Sequence, residues 1–328
     1  MDVHKRSLQI GLGVILCALV FRLGGGIAQQ LAATIGRPEV ASTLLFLETG
    51  RVVRAAEPEP VPTVQAAPEA TLPPQPEPVV FTSSDIGKVK VNNRTDKAID
   101  VSALLQSSLS WDLKQDAPTV LIYHTHGTES YTKTEDYKES SSYRTRDNGY
   151  NMVSIGTAVT EKLTKAGITV IHDTVPHDYP SYDGSYAAAR KSIQQYLAEY
   201  PSIRLVLDLH RDAMTDSSGK QMQVAVDVGG EKAAQMMLVM GMQTGSVSYP
   251  NWKENMALAV KLHALLERHC PGIMRPLCIR PQRFNQDLSS GALLIEMGAA
   301  GNTRQQALKS ADILCDAILE LAQGSVYQ

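Results

Sequence analysis

Cysteine is scarce in this chain of 328 residues, and its four thiols, Cys17, Cys270, Cys278 and Cys315, form no C-x-x-C pair. That excludes a cysteine-built zinc ribbon and a thioredoxin-like redox site, and leaves the last three to be read as buried hydrophobes. There is no G-x-S-x-G elbow for a serine nucleophile and no glycine-rich loop to cradle a phosphate. A net charge of -3 gives no general electrostatic reason to bind nucleic acid. Internal repeats are missing as well. Between Ala55 and Gly87 there is no Lys or Arg, while eight prolines fall from Pro58 to Pro78 and Glu57, Glu59, Glu69 and Glu77 keep the stretch solvated. Such a segment builds no core, and its prolines favour an extended polyproline conformation. At about 3.1 Å per residue, some thirty residues reach roughly 90 Å.

What the chain does contain is ordinary for a folded protein, 43% apolar and 20% charged, and its length suits one domain plus extra segments. The N-terminus opens Met1-Asp-Val-His-Lys-Arg6 and then turns apolar from Leu8 to Leu23 and weakly on to Ala33. Lys5 and Arg6 place residues 1–6 in the cytoplasm by the positive-inside tendency. Residues 7–33 are read as a transmembrane anchor, reaching the necessary length of roughly 20 residues by including Arg22 and three glycines. A cleaved signal peptide is the alternative, and either one exports the rest of the chain. The layout then reads 34–54 as a juxtamembrane segment, 55–87 as a linker and 88–328 as the folded domain.

Within that domain, Thr119-Val-Leu-Ile-Tyr123 reads as a buried strand, Asn148–Ala166 as an amphipathic helix stopped by Gly167, and Ile168–Ile171 as the next strand. A helix over Tyr186–Tyr200 follows, then a strand over Ile203–Asp208. Further strands are expected over Met222–Val228, Met236–Met240, Leu277–Arg280 and Ala292–Ile295. Helices are expected over Trp252–Cys270, with a capping box from Asn251 to Glu254, and over Thr303–Ala322. Strands alternating with helices of this length predict an α/β fold, a mixed or parallel sheet with helices on both faces.

In such a sheet ligands sit beyond the carboxyl ends of the strands. Three expected strands end in polar residues there: His124-Thr-His126-Gly-Thr-Glu129, Asp208-Leu-His210-Arg-Asp212 and Leu294-Ile-Glu296-Met-Gly298. A hydrolytic zinc site takes three nitrogen or oxygen ligands and leaves one position open. His126, Glu129 and His210 supply that set, and Glu296 is then free to take the proton of the attacking water. A carboxylate closing so apolar a strand is expensive unless paired or functional. His124, two residues before His126, either stands behind the metal ligands or exchanges roles with His126. Asp147 and Asp212 are alternative carboxylate ligands, and Asp208 orients a histidine or pairs with Arg211. His172 and His177 are read as surface histidines, His263 and His269 as structural or solvated. Cys278, inside an apolar strand, is read as packing.

These residues resemble the stage II sporulation protein P family of endospore-forming bacteria, in Leu121-Ile-Tyr-His-Thr-His-Gly-Thr-Glu-Ser-Tyr131, His177-Asp-Tyr-Pro180, Asp208-Leu-His-Arg-Asp-Ala213, Phe284-Asn-Gln-Asp-Leu288 and Leu293-Leu-Ile-Glu-Met-Gly298. That family is similar in its metal site to the zinc N-acetylmuramoyl-L-alanine amidases, echoed here by His126-Gly127, Leu209–Ala213 and Glu296–Gly298, with Asn302 and Leu308 at matching places. The resemblance implies an amidase_3-like fold and removal of stem peptides from peptidoglycan, with an endopeptidase activity on cross-links as a further expectation. It also implies a membrane-held protein of the sporulation septum, partnered by a lytic transglycosylase (stage II sporulation protein D) and a polytopic membrane protein (stage II sporulation protein M). Those amidases take a glutamate ligand from the start of the first long helix, where this chain offers Asp147. Glu129 is therefore the substitute that spacing suggests. Arg211 and Asn285 are candidates for contacting the stem peptide. A zinc peptidase acting on peptides and a non-catalytic peptidoglycan-binding scaffold are the alternative functions.

Overall fold

A computed structural model describes residues 79–109, 112–138, 140, 142–243 and 248–327. The chain divides near residue 73, and every described element belongs to the second unit. The tail over 1–6, the anchor over 7–33 and the juxtamembrane segment over 34–54 lie outside the described residues, as does most of the linker. Among the described residues no helix is long and apolar enough to cross a membrane.

In chain order the elements are β1 (Val79–Phe81), α1 (Ser83–Ile86), β2 (Val91–Asn93), α2 (Val101–Gln106), β3 (Val120–Tyr123), α3 (Met152–Lys165), β4 (Val170–His172), α4 (Ser185–Glu199), β5 (Leu205–Asp212), β6 (Ala225–Val228), β7 (Glu231–Ala234), β8 (Met236–Gly241), α5 (Trp252–His269), β9 (Leu277–Arg280), a 3-10 turn at Gln286–Leu288, β10 (Ala292–Ala299), α6 (Arg304–Leu321) and β11 (Ser325–Tyr327). Seven strands form one sheet in the order β2-β9-β8-β10-β5-β3-β4. Strands β10, β5, β3 and β4 run parallel, β8, β9 and β2 run parallel to one another, and the two blocks meet in an antiparallel joint between β8 and β10. The sheet is thus mixed, as expected of an α/β fold.

Alternation along the strands assigns the two faces. Val120 and Ile122 of β3, Leu205, Leu207 and Leu209 of β5, and Leu293, Ile295 and Met297 of β10 enter the main core with residues of α3, α5 and α6. Leu121, Tyr123, Val206 and Ala292 pack on the other face against Ala189 and Ile193 of α4. Asp208, His210 and Glu296 have the parity of this second face. The larger apolar side chains are thereby spent on the three-helix side, and the polar ones cluster beneath α4.

Two sequence expectations change. The linker does not reach residue 87, because β1 and α1 are already folded: Phe81 is fully buried, and β1 pairs in parallel with β11. Buried Asp85 accepts from the Thr82 amide at 2.8 Å, from Lys88 Nζ at 2.8 Å and from Arg268 Nη2 at 2.7 Å. Nor does Asn251 cap α5, since its amide donates instead to the carbonyls of Gln286 and Ser289. Capping boxes form instead at the start of α1, from Thr82 and Asp85, and of α6, from Thr303 and Gln306. Cys270, Cys278 and Cys315 are buried and unbonded, in keeping with their reading as hydrophobes.

Asp85 ties residues before position 87 to α5. Asp85→Ala should therefore lower unfolding stability by about 1–3 kcal/mol, the cost of stranding buried donors, read as a shifted urea midpoint. An unchanged midpoint would place β1 and α1 outside the cooperative unit.

Candidate active site

Strands β3, β5 and β10 are mutually parallel, so their carboxyl ends share one edge of the sheet. Register sets Glu296 of β10 directly beside His210 of β5. Just beyond Glu296 the ladder slips, and Gly298 has φ +89, a conformation side chains rarely adopt. A Cβ there would also collide with Ala234 and Asn302. Asn302 braces this bulge, accepting from the Ala299 amide at 2.9 Å and donating to the Val224 carbonyl at 2.9 Å; Leu308 packs against the core.

His126 and Glu129 come from the turn after β3. The ring of His126 stands edge-on to that of His210, with centroids 5.2 Å apart. Glu129 Oε2 lies 3.6 Å from His210 Nδ1 and accepts from the Arg211 amide at 3.2 Å. Its other oxygen is 3.4 Å from Arg144 Nη2 and 3.6 Å from Arg211 Nη1. Asp208 takes the Thr125 amide at 2.8 Å and the Thr125 hydroxyl at 2.6 Å. Its Oδ1 also stands 2.9 Å from His210 Nε2, without the alignment of a hydrogen bond. Asp208 therefore faces His210 and not Arg211. All four sequence candidates, His126, Glu129, His210 and Glu296, gather at this edge.

The other candidates have different places. His124 is buried, with Nδ1 3.1 Å from the Leu209 carbonyl and Nε2 2.9 Å from His172 Nε2. Both its nitrogens are engaged, so it stands behind the site and has no lone pair left to exchange with His126. The β3 strand stops at Tyr123, which removes the alternation that would have set both rings on one side. Correspondingly, His172 is not a surface residue, nor is His177, which is buried 3.1 Å from Asp173 Oδ2. Asp147 is exposed and accepts from the Gly149 amide, and Asp212 pairs with Arg275 at 2.8 Å. Arg211 donates to the Ser130 and Tyr143 carbonyls at 3.0 and 2.8 Å, so it fastens the Glu129 turn and presents no free edge to a peptide. Asn285 is likewise spent, donating to the Tyr186 carbonyl at 2.9 Å. His263 is buried in α5 and His269 pairs with Glu320 at its surface.

Three side chains of the site escape a reading by strand ends because they sit on the loop from β4 to α4 or at the start of α4. Asp178 receives the Thr128 hydroxyl at 2.6 Å and Arg144 Nη1 at 2.8 Å, locking that loop onto the His126 turn. Tyr182 stacks on His126 with centroids 4.4 Å apart, and Arg144 covers Tyr182 at 4.5 Å. Tyr186, in the first turn of α4, meets His126 edge-on at 5.6 Å. Only the motif His177-Asp-Tyr-Pro180 hinted at this loop.

Charge and burial decide the protonation states. Burial pushes His126 down to about 4, leaving it neutral. Burial opposes charge on His210 too, but the carboxylates of Asp208 and Glu129 outweigh it and hold its pKa well above the histidine range. Burial would raise Glu129, yet His210 and Arg211 bring it down to about 2. Glu296 goes the other way, lifted to about 8 by burial and by the Glu129 charge. Tyr186 is raised by burial and by the Asp208 and Glu296 charges, so its phenol stays protonated.

Among the described residues no three His, Cys, Asp or Glu side chains are already drawn into a metal-holding cluster. The donor chemistry nevertheless fits a divalent cation. His126 Nδ1 is buried without a hydrogen-bond partner, and His210 turns Nδ1 towards Glu129 Oε2 while its Nε2 faces Asp208; an imidazole and carboxylate set of this kind suits zinc. The proton on His210 is the positive charge between the Asp208 and Glu129 carboxylates.

A carboxyl whose folded pKa exceeds its unfolded value stabilises the fold below the unfolded pKa, and that contribution is lost as pH rises through the folded one. For Glu296 this window runs from 4.5 to about 8. Chelator-treated wild type should therefore lose about 1.4 kcal/mol per pH unit across it relative to Glu296→Gln. Parallel stability–pH curves for the two proteins would show that Glu296 is not buried as described.

Residues 46–319 match the family described as Stage II sporulation protein P. The protein named Stage II sporulation protein P of Bacillus subtilis (strain 168) is 27% identical over 217 residues, 63% of this chain and 51% of that protein, so the chain spans about half its relative's length. Among solved structures, the N-acetylmuramoyl-L-alanine amidase AmiC2 of Nostoc punctiforme is 13% identical with a TM-score of 0.38, covering 63% of this chain and 97% of its own. The N-acetylmuramoyl-L-alanine amidase from Clostridium difficile 630 is 15% identical with a TM-score of 0.35 over the same shares. With the match spanning residues 46–319, this chain belongs to the Stage II sporulation protein P family.

Proposed function

We propose that this protein is a zinc-dependent peptidoglycan hydrolase that cuts the amide between N-acetylmuramic acid and L-alanine. The observation that carries the reading is the half-buried Glu296, set in the apolar strand β10 beside His210 with its Oε2 buried and unpartnered. A protein rarely keeps an unpaired carboxyl in such surroundings unless it moves a proton. Family membership and the donor set at the same edge support it.

His126, Glu129 and His210 would hold the zinc, with Asp208 orienting His210. A zinc held there would supply Lewis acidity, polarising the scissile carbonyl and acidifying a water. Glu296 accepts that water's proton on Oε2 and returns it to the leaving amine, serving first as base and then as acid. A carboxyl at about 8 in the metal-free site falls towards neutrality once a cation is near, where both halves of that cycle are accessible. Tyr186 supplies a neutral phenol beside His126, a donor for the oxygen that becomes negative as the carbonyl is attacked. His126 stacked under Tyr182 is shielded from bulk water on that face.

The setting follows from the family and the layout of the sequence. The proposal places the domain outside the cell, held at the membrane of the sporulation septum. Its partners there would be the lytic transglycosylase and the polytopic membrane protein named above.

Glu296→Gln should bind one zinc yet hydrolyse purified sacculi at least 100-fold more slowly; turnover within tenfold of wild type would remove Glu296 from the chemistry. Mass spectrometry of the wild-type products separates the readings: intact released stem peptides identify an amidase, trimmed stems a peptidase, and no product with metal bound a scaffold. Tyr186→Phe should lower kcat roughly 10- to 1,000-fold with KM unchanged. An equal rise in KM with kcat intact would make Tyr186 a contact of the bound substrate only.

A further inference from the structure

A cavity of about 510 Å³ opens one residue from the site, lined by Gly127, Arg146, Asn148, Thr174, Pro176 and Tyr179 among others. Arg146 is the sole charged side chain in its wall, and no carboxylate faces it. The guanidinium lies over the ring of Tyr179, 4.5 Å from the centroid. It makes no hydrogen bond or ion pair among the described residues, unlike Arg144 beside it, which Glu129 and Asp178 neutralise. The neighbouring carboxylate of Asp147 is turned away to the Gly149 amide at 2.9 Å. Tyr179 is half exposed, at 50%, but the loop that carries it is anchored by Asp178 to Thr128 and Arg144. A guanidinium lying over an aromatic ring keeps its N–H donors free, and two of them can receive a carboxylate through parallel hydrogen bonds. Asn148 and Thr174 are polar residues of the same wall.

We infer that this cavity is a carboxylate-binding subsite in which Arg146, supported on Tyr179, holds a free carboxylate of the stem peptide attached at the scissile amide. The inference rests on the stem-peptide reading of the active site. It makes Arg146 a residue of substrate preference: stems with free carboxylates enter better than stems whose carboxylates are amidated. Chemistry at Glu296 and the cation is not altered by it.

The test uses two monomeric muropeptides that differ only in having their stem carboxylates free or amidated. They are titrated calorimetrically against the full chain carrying Glu296→Gln, so that nothing is consumed. The free form should bind about tenfold tighter or better, Arg146→Ala should abolish the difference, and Arg146→Lys should restore part of it. Equal affinities in the parent, or a difference that survives Arg146→Ala, would overturn the inference. Arg146 is exposed, so folding is not at issue in these variants. Discrimination by the Glu296→Gln chain, with the wild type hydrolysing neither form, would sustain the subsite while the hydrolase reading fails. Hydrolysis of both forms by the wild type, with no discrimination by the Glu296→Gln chain, would remove the subsite alone.

Discussion

The buried imidazolium of His210 and the carboxylates of Asp208 and Glu129 govern how the rest of the site is arranged. Ions removed from water are tolerated only when each is matched by an opposite charge and by hydrogen bonds. Asp208 is matched by His210 and by two donors of Thr125; Glu129 is matched by His210, Arg144 and Arg211. Those partners in turn fix the turn after β3, because Arg211 also fastens Ser130 and Tyr143. Glu296 is the one carboxyl left outside the balance, and it stays neutral for that reason. A divalent cation entering here would replace the proton of His210 with a larger charge and draw Glu296 into ionisation.

The hydrophobic pattern explains why the sequence exposed this much. Period-two alternation in β5 and β10 sends Leu207, Leu209, Ile295 and Met297 into one core and leaves Asp208, His210 and Glu296 for the opposite face. Three such strands in parallel bring their ends together by topology alone, so residues more than 80 positions apart were recognisable as neighbours from local runs. Strands β2 and β7 escaped because Val91-Asn-Asn93 and Glu231-Lys-Ala-Ala234 carry no apolar run or alternation, unlike the similarly short β3 and β9. The linker boundary was placed too late for a similar reason: Val79, Val80 and Phe81 directly follow Pro78, and composition could not separate them from the proline run.

Side chains supplied by loops were harder to read. Tyr182, Tyr186 and Arg146 have no periodic signature, and their positions depend on Asp178 reaching across to Thr128 and Arg144. Conversely, Arg211 and Asn285 looked available in the sequence because each stands in a polar motif. Neither is free, since backbone carbonyls of Ser130, Tyr143 and Tyr186 claim their donors. A motif thus identified the region of the site, while the division between reactive groups and bracing groups came from counting hydrogen bonds.

The central claim is that His126 and His210 share one cation at the carboxyl edge of the sheet. Anomalous diffraction from zinc-loaded crystals of this domain tests it directly. The account predicts a single strong peak lying about 2.1 Å from a ring nitrogen of each histidine, with Glu129 completing the protein ligands. A peak bound by other residues, or none at this edge at saturating zinc, would contradict it.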